Sequence, residues 1–180
     1  MTVKSVCSIL CIPFILYITA CNGISGKDME KIERHKKSLD ANIGEKFPID
    51  NIVDSTGKLI KLDFSESEIT IIDFWFNECP PCIEEMKQFA GVLKGKDKEI
   101  NVFSISINGN TIWKSIMKEP KGRFSFLSSH LSNWKHYNLQ SQENENLKNN
   151  IPMDNIKELQ EKLNVAFYPA YFVLDRSGII

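Results

Sequence analysis

Cys79 and Cys82 are separated by two residues, Pro80 and Pro81. An apolar, β-branched segment precedes them and apolar residues at helical spacing follow, so we predict that the pair lies where a buried strand turns into a helix. The positive end of a helix dipole favours a thiolate at Cys79, and only the thiolate attacks a disulfide. Cys82 lies one turn away and can resolve the mixed disulfide. The pattern predicts dithiol–disulfide exchange, with Cys79 as the nucleophile and its sulfur exposed at the strand-to-helix junction.

The same cysteine spacing also occurs in half of a zinc site and in static disulfides. A zinc site needs four ligands, but no second cysteine pair of this kind is present, and the histidines are scattered at His35, His130 and His136. We therefore predict no metal, and no cofactor other than a redox-active disulfide between Cys79 and Cys82. A purely structural disulfide is the alternative.

The elements that must position the cysteines form a βαβ unit. Residues 69–76 are apolar with one acid, which is typical of a strand covered on both faces. A helix is predicted over 83–93 with Gly95 as its stop, and a second strand over 100–107. Together they place Cys79 at the end of a central strand.

The flanking segments are less regular. An N-terminal hairpin is predicted from residue 43, with its turn at 54–58. We interpret residues of about 108–153 as an insertion, with a helix at 111–118, a short strand at 124–127 and an exposed polar stretch at 140–150. A helix over 154–163 with Asp154 as N-cap, a strand over 170–174 and a turn at 175–178 complete the pattern.

The first twenty residues have the pattern of a signal peptide. Lys4 supplies a positive start, and residues 9–18 are almost all apolar but interrupted by Pro13. Because a membrane-spanning helix takes about 20 apolar residues, a cleaved signal over 1–20 is the favoured interpretation. The ending Ile18-Thr19-Ala20-Cys21 resembles the lipobox of bacterial lipoproteins, which implies lipidation of Cys21. The charged residues that follow predict a tether over 21–42 that is solvated or forms a short surface helix.

Composition limits the remaining possibilities. The 180 residues suit one domain plus a tether, and 22 basic against 23 acidic residues give no field that would attract nucleic acid. Cleavage of the signal peptide would remove Cys7 and Cys11, and Cys21 would carry the lipid, so Cys79 and Cys82 are the two thiols that remain. A single close thiol pair in an exported domain favours redox chemistry over a disulfide-stapled scaffold.

The segment Phe74-Trp75-Phe76-Asn77-Glu78-Cys79-Pro80-Pro81-Cys82 resembles the active site of the thioredoxin superfamily, and its Cys-Pro-Pro-Cys form resembles the TlpA/ResA-like branch of exported, membrane-tethered proteins. The lead-in from Ile43-Gly44-Glu45 to Gly57-Lys58, Tyr168-Pro169 and residues 175–178 support the resemblance. It implies an α/β, thioredoxin-like fold over 43–180, with a central mixed sheet flanked by helices. It also implies a cis-proline at Pro169 facing the disulfide. The resulting substrate-binding residues are Trp75, Pro80, Pro81, Tyr168 and Pro169.

Asp73 falls where the resemblance implies a buried aspartate beneath the second cysteine. Desolvation should raise its pKa, so that it could accept the proton of Cys82. The alternative is a strand-end acid that reaches water or a backbone amide.

The sequence departs from the family pattern at several positions. Three acids lie close to the cysteines: Glu78, where the family has tryptophan, Glu84 and Glu85. Negative charge raises a thiol pKa, and Pro80 and Pro81 lack amide protons that could stabilise a thiolate. A poorly stabilised dithiol favours a reductase. The family also continues into a final strand and helix, of which only Ile179 and Ile180 remain here. Either the sequence is truncated, or part of one apolar sheet face is expected to lie open.

The sequence therefore predicts an extracytoplasmic thiol-disulfide oxidoreductase, anchored by lipid and facing the periplasm or the outer surface. Expected partners are exported protein thiols and disulfides, which by resemblance include apocytochromes, and a membrane-bound thiol reductant. A peroxiredoxin-like peroxidase is a weaker alternative, because that chemistry requires Thr or Ser three residues before the reactive cysteine and position 76 is phenylalanine. A surface lipoprotein that binds a partner and carries a static disulfide is the non-enzymatic alternative.

Overall fold

The computed structural model describes residues 26–96, 99–129, 131–140, 147–148 and 151–180. The predicted signal peptide and Cys21 lie outside these residues. Helix α1, Gly26–Asp40, is largely exposed, so the charged segment forms a surface helix as predicted. None of the described helices combines the length and the apolar character needed to cross a membrane. Residues from Asn42 to Ile180 form one compact unit.

The strands of this unit are β1 Ile52–Val53, β2 Leu59–Ile60, β3 Ile69–Trp75, β4 Ile100–Ser106, β5 Trp134–Leu139, β6 Leu147–Lys148, β7 Ile151–Pro152 and β8 Ala170–Leu174. Six of them form a mixed sheet at its centre, in the order β2-β1-β5-β4-β3-β8. Strands β3, β4 and β5 are parallel, β8 runs antiparallel to β3, and β1 and β2 form the predicted N-terminal hairpin. Strands β6 and β7 form a separate two-stranded sheet.

The helices of this unit are α2 Pro80–Val92, α3 Asn110–Lys118 and α4 Met153–Leu163, together with a 3-10 helix, η1, at Gly122–Ser128. Helix α2 connects β3 to β4, which confirms the predicted βαβ unit. The predicted helices near 111–118 and 154–163 are also present. A mixed sheet flanked by helices, the predicted fold class, is therefore what the chain forms.

Two features of the predicted insertion 108–153, and one feature of the helix predicted after it, need correction. Strand β5 lies inside it and pairs with both β4 and β1, so this segment supplies part of the central sheet. Residues 124–127 form part of the 3-10 helix η1 and not a strand. The N-cap of α4 is Pro152 and not Asp154, which lies in the first turn. In β5 the pattern was obscured by polar residues such as Asn138, whose amide donates to backbone carbonyls of Ser106 and Asn108 at 2.9 Å.

Side chains of β3 alternate between two buried faces of the sheet. Trp75 packs on one face in a cluster with Met86, Trp113 and Trp134. Phe74 points to the other face, where aromatic rings pack in edge-to-face, stacked and tilted pairs: Phe47, Phe64, Phe103 and Phe172. Phe74, Phe103 and Phe172 are buried, and Phe47 and Phe64 from the lead-in to the sheet cover this face. On the opposite face Ile71, Tyr171 and Val173 are only partly buried.

Candidate active site

The two cysteines lie at the junction of β3 and α2 and form a disulfide, with their Cα atoms 5.3 Å apart. Cys79 is the N-cap of α2, and its backbone N–H donates to the carbonyl of Phe76 at 3.1 Å. Pro80 and Pro81 occupy the first two helical positions, where a missing N–H breaks no helical hydrogen bond. The strand-to-helix position that the sequence predicts is therefore the one observed.

The two sulfur-bearing residues differ in accessibility. Cys79 is 3% exposed and Cys82 is 0% exposed. The sequence analysis expected an exposed Cys79, and the structure corrects this to a nearly covered one. Because Cys82 has no accessible surface, an incoming group can reach the disulfide only at Cys79.

One amide donates to the sulfur of Cys79. The N–H of Cys82 lies 3.3 Å from Cys79 Sγ. Pro80 and Pro81 have no amide proton, so the first turn of α2 offers the sulfur fewer donors than an ordinary helix would. This is the deficit that the sequence predicts.

Asp73 is fully buried on β3, on the same face as Trp75. Ser104 Oγ donates to its Oδ2 at 3.0 Å, and its Oδ1 has no hydrogen-bond partner among the described residues. Burial raises the pKa of Asp73 to about 7; the Ser104 hydrogen bond opposes this shift and the charge of Glu85 adds to it. The pKa of Asp73 is therefore raised, as predicted, and the hydrogen bond that it accepts comes from the hydroxyl of Ser104.

Two further groups beside Asp73 were not assigned to the site from the sequence. Tyr171 pairs with Asp73 across β8 and β3, and its hydroxyl donates to Glu85 Oε2. Burial raises the pKa of Glu85, and the hydrogen bond from Tyr171 partly offsets this. The sequence analysis gave Glu85 only a general charge effect and gave Tyr171 no role. The predicted strand that places Tyr171 two residues after Pro169 was the signal that could have identified it.

An asparagine pair fixes the segment before Cys79. The backbone N–H of Asn77 donates to Asn108 Oδ1, and Asn108 Nδ2 donates back to Asn77 Oδ1, both at 2.8 Å. Ser106 Oγ donates to the same Asn108 oxygen. Asn108 follows β4, so it ties the end of that strand to the active-site loop. Sequence analysis missed it because it lay in the segment interpreted as an insertion.

The Tyr168–Pro169 peptide bond is cis, as expected. The ring of Tyr168 packs edge to face on Phe76, with centroids 5.5 Å apart. Pro80 and Pro81 are exposed, and Phe167 is 51% exposed. These residues can form a surface for a polypeptide beside Cys79.

Trp75 does not belong to that surface. It is fully buried and its ring packs against Phe124, so its predicted role in binding substrate is wrong. The side chain instead supports α2 from below. The strand alternation that buries Phe74 on one face also buries Trp75 on the other.

The described residues contain no group of three or more His, Cys, Asp or Glu side chains placed to hold a metal ion. His136, expected in a surface or insertion segment, lies on β5 against Trp134, and both of its ring nitrogens are buried. Burial lowers the pKa of His136 to about 4, so it is neutral near pH 7.

Comparison with protein families decides the relationship of this chain. Residues 43–180 match the model described as the AhpC/TSA family, which is more than half of the chain. The chain belongs to the AhpC/TSA family. No curated protein matches it.

Solved structures of similar fold come from several Bacteroides proteins. A thiol:disulfide interchange protein from Bacteroides sp. has a TM-score of 0.52 and 20% identity, with 77% of this chain and 78% of that chain covered. The thioredoxin domain of a thiol-disulfide oxidoreductase from Bacteroides vulgatus has a TM-score of 0.50 and 21% identity, covering 75% and 84%. A conserved protein of unknown function from Bacteroides fragilis has a TM-score of 0.53 and 16% identity, covering 77% and 89%. At these identities the likeness establishes the thioredoxin-like fold, and family membership with the Cys79–Cys82 disulfide supports an oxidoreductase role.

Proposed function

We propose that the protein is an extracytoplasmic thiol-disulfide reductase that uses the Cys79–Cys82 pair. The observation that carries the proposal is the placement of the disulfide. It lies at the N-terminus of α2, where Cys79 is the N-cap and is 3% exposed, while Cys82 is fully buried. This arrangement assigns attack to one sulfur and resolution to the other.

The reaction consumes the dithiol form of the enzyme. The Cys79 thiolate attacks one sulfur of a client disulfide, so that a mixed disulfide forms and the first client thiolate leaves. Cys82 gives its proton to Asp73 and attacks Cys79 Sγ, which expels the second client thiolate. The client gains two electrons, the enzyme becomes the disulfide seen here, and a membrane-bound thiol reductant restores the dithiol.

The direction of the reaction follows from the surroundings of Cys79. One amide donates to its sulfur, and the exposed Glu78 lies next to it in the chain. Few donors and a nearby negative charge stabilise a thiolate poorly, which lowers the reduction potential. A reduction potential of about −120 mV for the Cys79–Cys82 pair, measured in the soluble domain, is strongly oxidising and would contradict a reductase.

The client surface is formed by Pro80, Pro81, Tyr168 and Pro169. Backbone groups next to a cis-proline can pair with an extended client segment as an added strand does. The accessible rings of Phe167 and the two prolines suit apolar client side chains. Exported proteins with disulfides, including apocytochromes, are the proposed clients.

Location outside the cytoplasm is part of the same proposal. It rests on the signal-like residues 1–20, on the lipobox-like segment ending at Cys21, and on the TlpA/ResA-like Cys-Pro-Pro-Cys sequence. Cys21→Ser should move the protein from the membrane fraction to the soluble fraction of the envelope. Retention of that variant in the membrane would contradict a lipid anchor.

Insulin reduction tests the function. The wild-type domain should reduce insulin with dithiothreitol as electron source, and Cys79→Ser should abolish this activity. Cys82→Ser should retain the client as a mixed disulfide on Cys79, which reducing agent releases. A domain starting at residue 26, which carries no other cysteine, removes interference from Cys7, Cys11 and Cys21.

A static disulfide in a binding module is the second candidate, and the low exposure of Cys79 favours it. In that case the wild type and Cys79→Ser would both be inactive on insulin, and the pair would resist dithiothreitol in the folded protein. A peroxidase would instead consume hydroperoxide in a reaction that requires Cys79. These assays separate the three functions.

A further inference from the structure

Tyr171 lies in the middle of β8, directly opposite Asp73 in the antiparallel register. Its ring packs edge to face on Phe89 of α2, with centroids 6.1 Å apart. Its hydroxyl donates to Glu85 Oε2. The side chain therefore connects the active-site helix to the strand that follows Pro169.

Glu85 lies on the inner side of α2, three residues after Cys82 and four before Phe89. It is half-buried, whereas the neighbouring Glu84 is exposed and pairs with Lys87 at 2.8 Å. The Glu85 side chain is thus held partly out of water, although Glu84, its neighbour in the helix, is exposed. The hydroxyl of Tyr171 is the donor that compensates its partial burial.

The groups that face Asp73 come from each neighbouring element. Strand β4 contributes Ser104, β8 contributes Tyr171, and α2 contributes Glu85. His136 on β5 lies beyond Ser104 and is neutral near pH 7. Among the described residues no cation shifts the pKa of Asp73, so the charge it meets when it ionises is negative.

We propose that Tyr171 is a positioning residue, whose hydroxyl holds the Glu85 carboxylate beside Asp73 and thereby couples the ionisation of the two acids. The proposal rests on the proposed function, because Asp73 matters for turnover only if it takes the proton of Cys82. It concerns a contact between helix α2, which carries Cys82, and strand β8, which follows Pro169.

The coupling sets the pH at which Asp73 can act as a base. Without the hydroxyl, the half-buried Glu85 either takes up a proton or turns toward solvent. Both outcomes remove negative charge from the neighbourhood of Asp73, so Asp73 ionises at lower pH. The proton acceptor would then be ionised over a wider pH range but would be a weaker base.

Titration of Asp73 tests the proposal independently of activity. The carboxyl carbon of Asp73 is followed by NMR in the oxidised domain of the wild type, Tyr171→Phe, Glu85→Gln and Glu84→Gln. Tyr171→Phe retains the ring and its contact with Phe89. Both Tyr171→Phe and Glu85→Gln should lower the titration midpoint of Asp73 by about 0.5 to 1 pH unit. Glu84→Gln makes the same charge change on the exposed side of α2 and should leave the midpoint in place.

Two results would overturn the proposal. An unchanged midpoint in Glu85→Gln would mean that the two acids are not coupled. A shift in Glu85→Gln but not in Tyr171→Phe would mean that Tyr171 only packs.

The acid limb of the pH profile of kcat/KM for insulin reduction should shift to lower pH in Tyr171→Phe and Glu85→Gln, by the same amount as the titration midpoint of Asp73. Failure of the proposed function is recognised separately: the midpoint then shifts as expected while the wild type does not reduce insulin.

Discussion

Asp73 shows how one residue can couple chemistry to stability. It is fully buried, receives one hydrogen bond from Ser104 and is shifted by no cation among the described residues. The folded protein therefore favours the neutral acid, while the unfolded chain ionises it at ordinary acidic pH. This difference in pKa makes the free energy of unfolding depend on pH.

We predict that Asp73→Asn stabilises the oxidised protein at about pH 8 and has a smaller effect at about pH 4. The pKa of Asp73 is raised from 3.8 to about 7 by burial. Stability from the neutral form is therefore complete below the unfolded pKa and is lost as pH rises through the folded pKa. The difference between the folded and unfolded pKa of Asp73 corresponds to at most roughly 4 kcal/mol of unfolding free energy. Urea unfolding of the wild type and the variant at both pH values measures this contribution.

Asp63→Asn is the control for this prediction. Asp63 is exposed, and hydrogen bonds from Ser65 lower its pKa, so its contribution has the opposite sign. Its replacement should not stabilise the protein at the higher pH. A benefit of Asp73→Asn that is equal at both pH values would show that the substitution acts through packing and not through ionisation.

At the scale of elements, the first turn of α2 determines which amides reach Cys79. Cys79 is the N-cap, Pro80 and Pro81 follow at N1 and N2, and Cys82 is at N3. Side chains at the N-cap accept hydrogen bonds from the N2 and N3 amides. Cys82 supplies the N3 donor, and Pro81 removes the N2 donor.

Pro81→Ala should therefore raise the reduction potential by about 30 to 60 mV at a pH where Cys79 is ionised, because a restored N2 amide stabilises the thiolate. Equilibration with glutathione buffers measures the change. Pro80→Ala restores an amide at N1, which does not point at the N-cap side chain, and serves as the matched control. Equal shifts in the two variants would argue for a general loosening of the turn.

The Asn77–Asn108 pair joins two loops at the ends of β3 and β4. Asn108→Ala removes the acceptor of the Asn77 N–H and is expected to lower the free energy of unfolding by about 1 to 3 kcal/mol. Asn101→Ala is the control, because it also replaces a buried asparagine by alanine, here within β4. The side-chain amide nitrogen of Asn101 has no hydrogen-bond partner among the described residues. Urea unfolding should show the larger loss for Asn108→Ala, and similar losses would indicate that the asparagine pair adds no specific stability.

The same elements show what can be predicted from sequence. Strand β3 and helix α2 follow from an apolar run and helical spacing, and the cysteines follow from their position between them. Strand β5 was missed because Lys135, His136 and Asn138 interrupt its apolar residues, and their suitability for a sheet depends on distant partners. Tyr171 was likewise missed as a site residue because its contact with Glu85 joins positions 86 residues apart.

For the whole molecule, the redox state of Cys79 and Cys82 is linked to folding. A low reduction potential means that the disulfide forms more readily in the folded protein than in the unfolded chain. The thermodynamic cycle then requires the oxidised protein to be more stable than the reduced protein, by 1.4 kcal/mol for about every 30 mV between the two potentials.

Oxidised protein should therefore unfold at higher urea concentration than reduced protein, with a difference in unfolding free energy of about 1 to 3 kcal/mol. The measurement compares unfolding with and without dithiothreitol, at a pH below the pKa of the thiols. The double variant Cys79→Ser, Cys82→Ser should unfold at the same urea concentration under both conditions, because it has no disulfide to reduce. A reduced form that is the more stable of the two would place the pair among oxidants and would contradict the proposed reductase, whatever its activity on insulin.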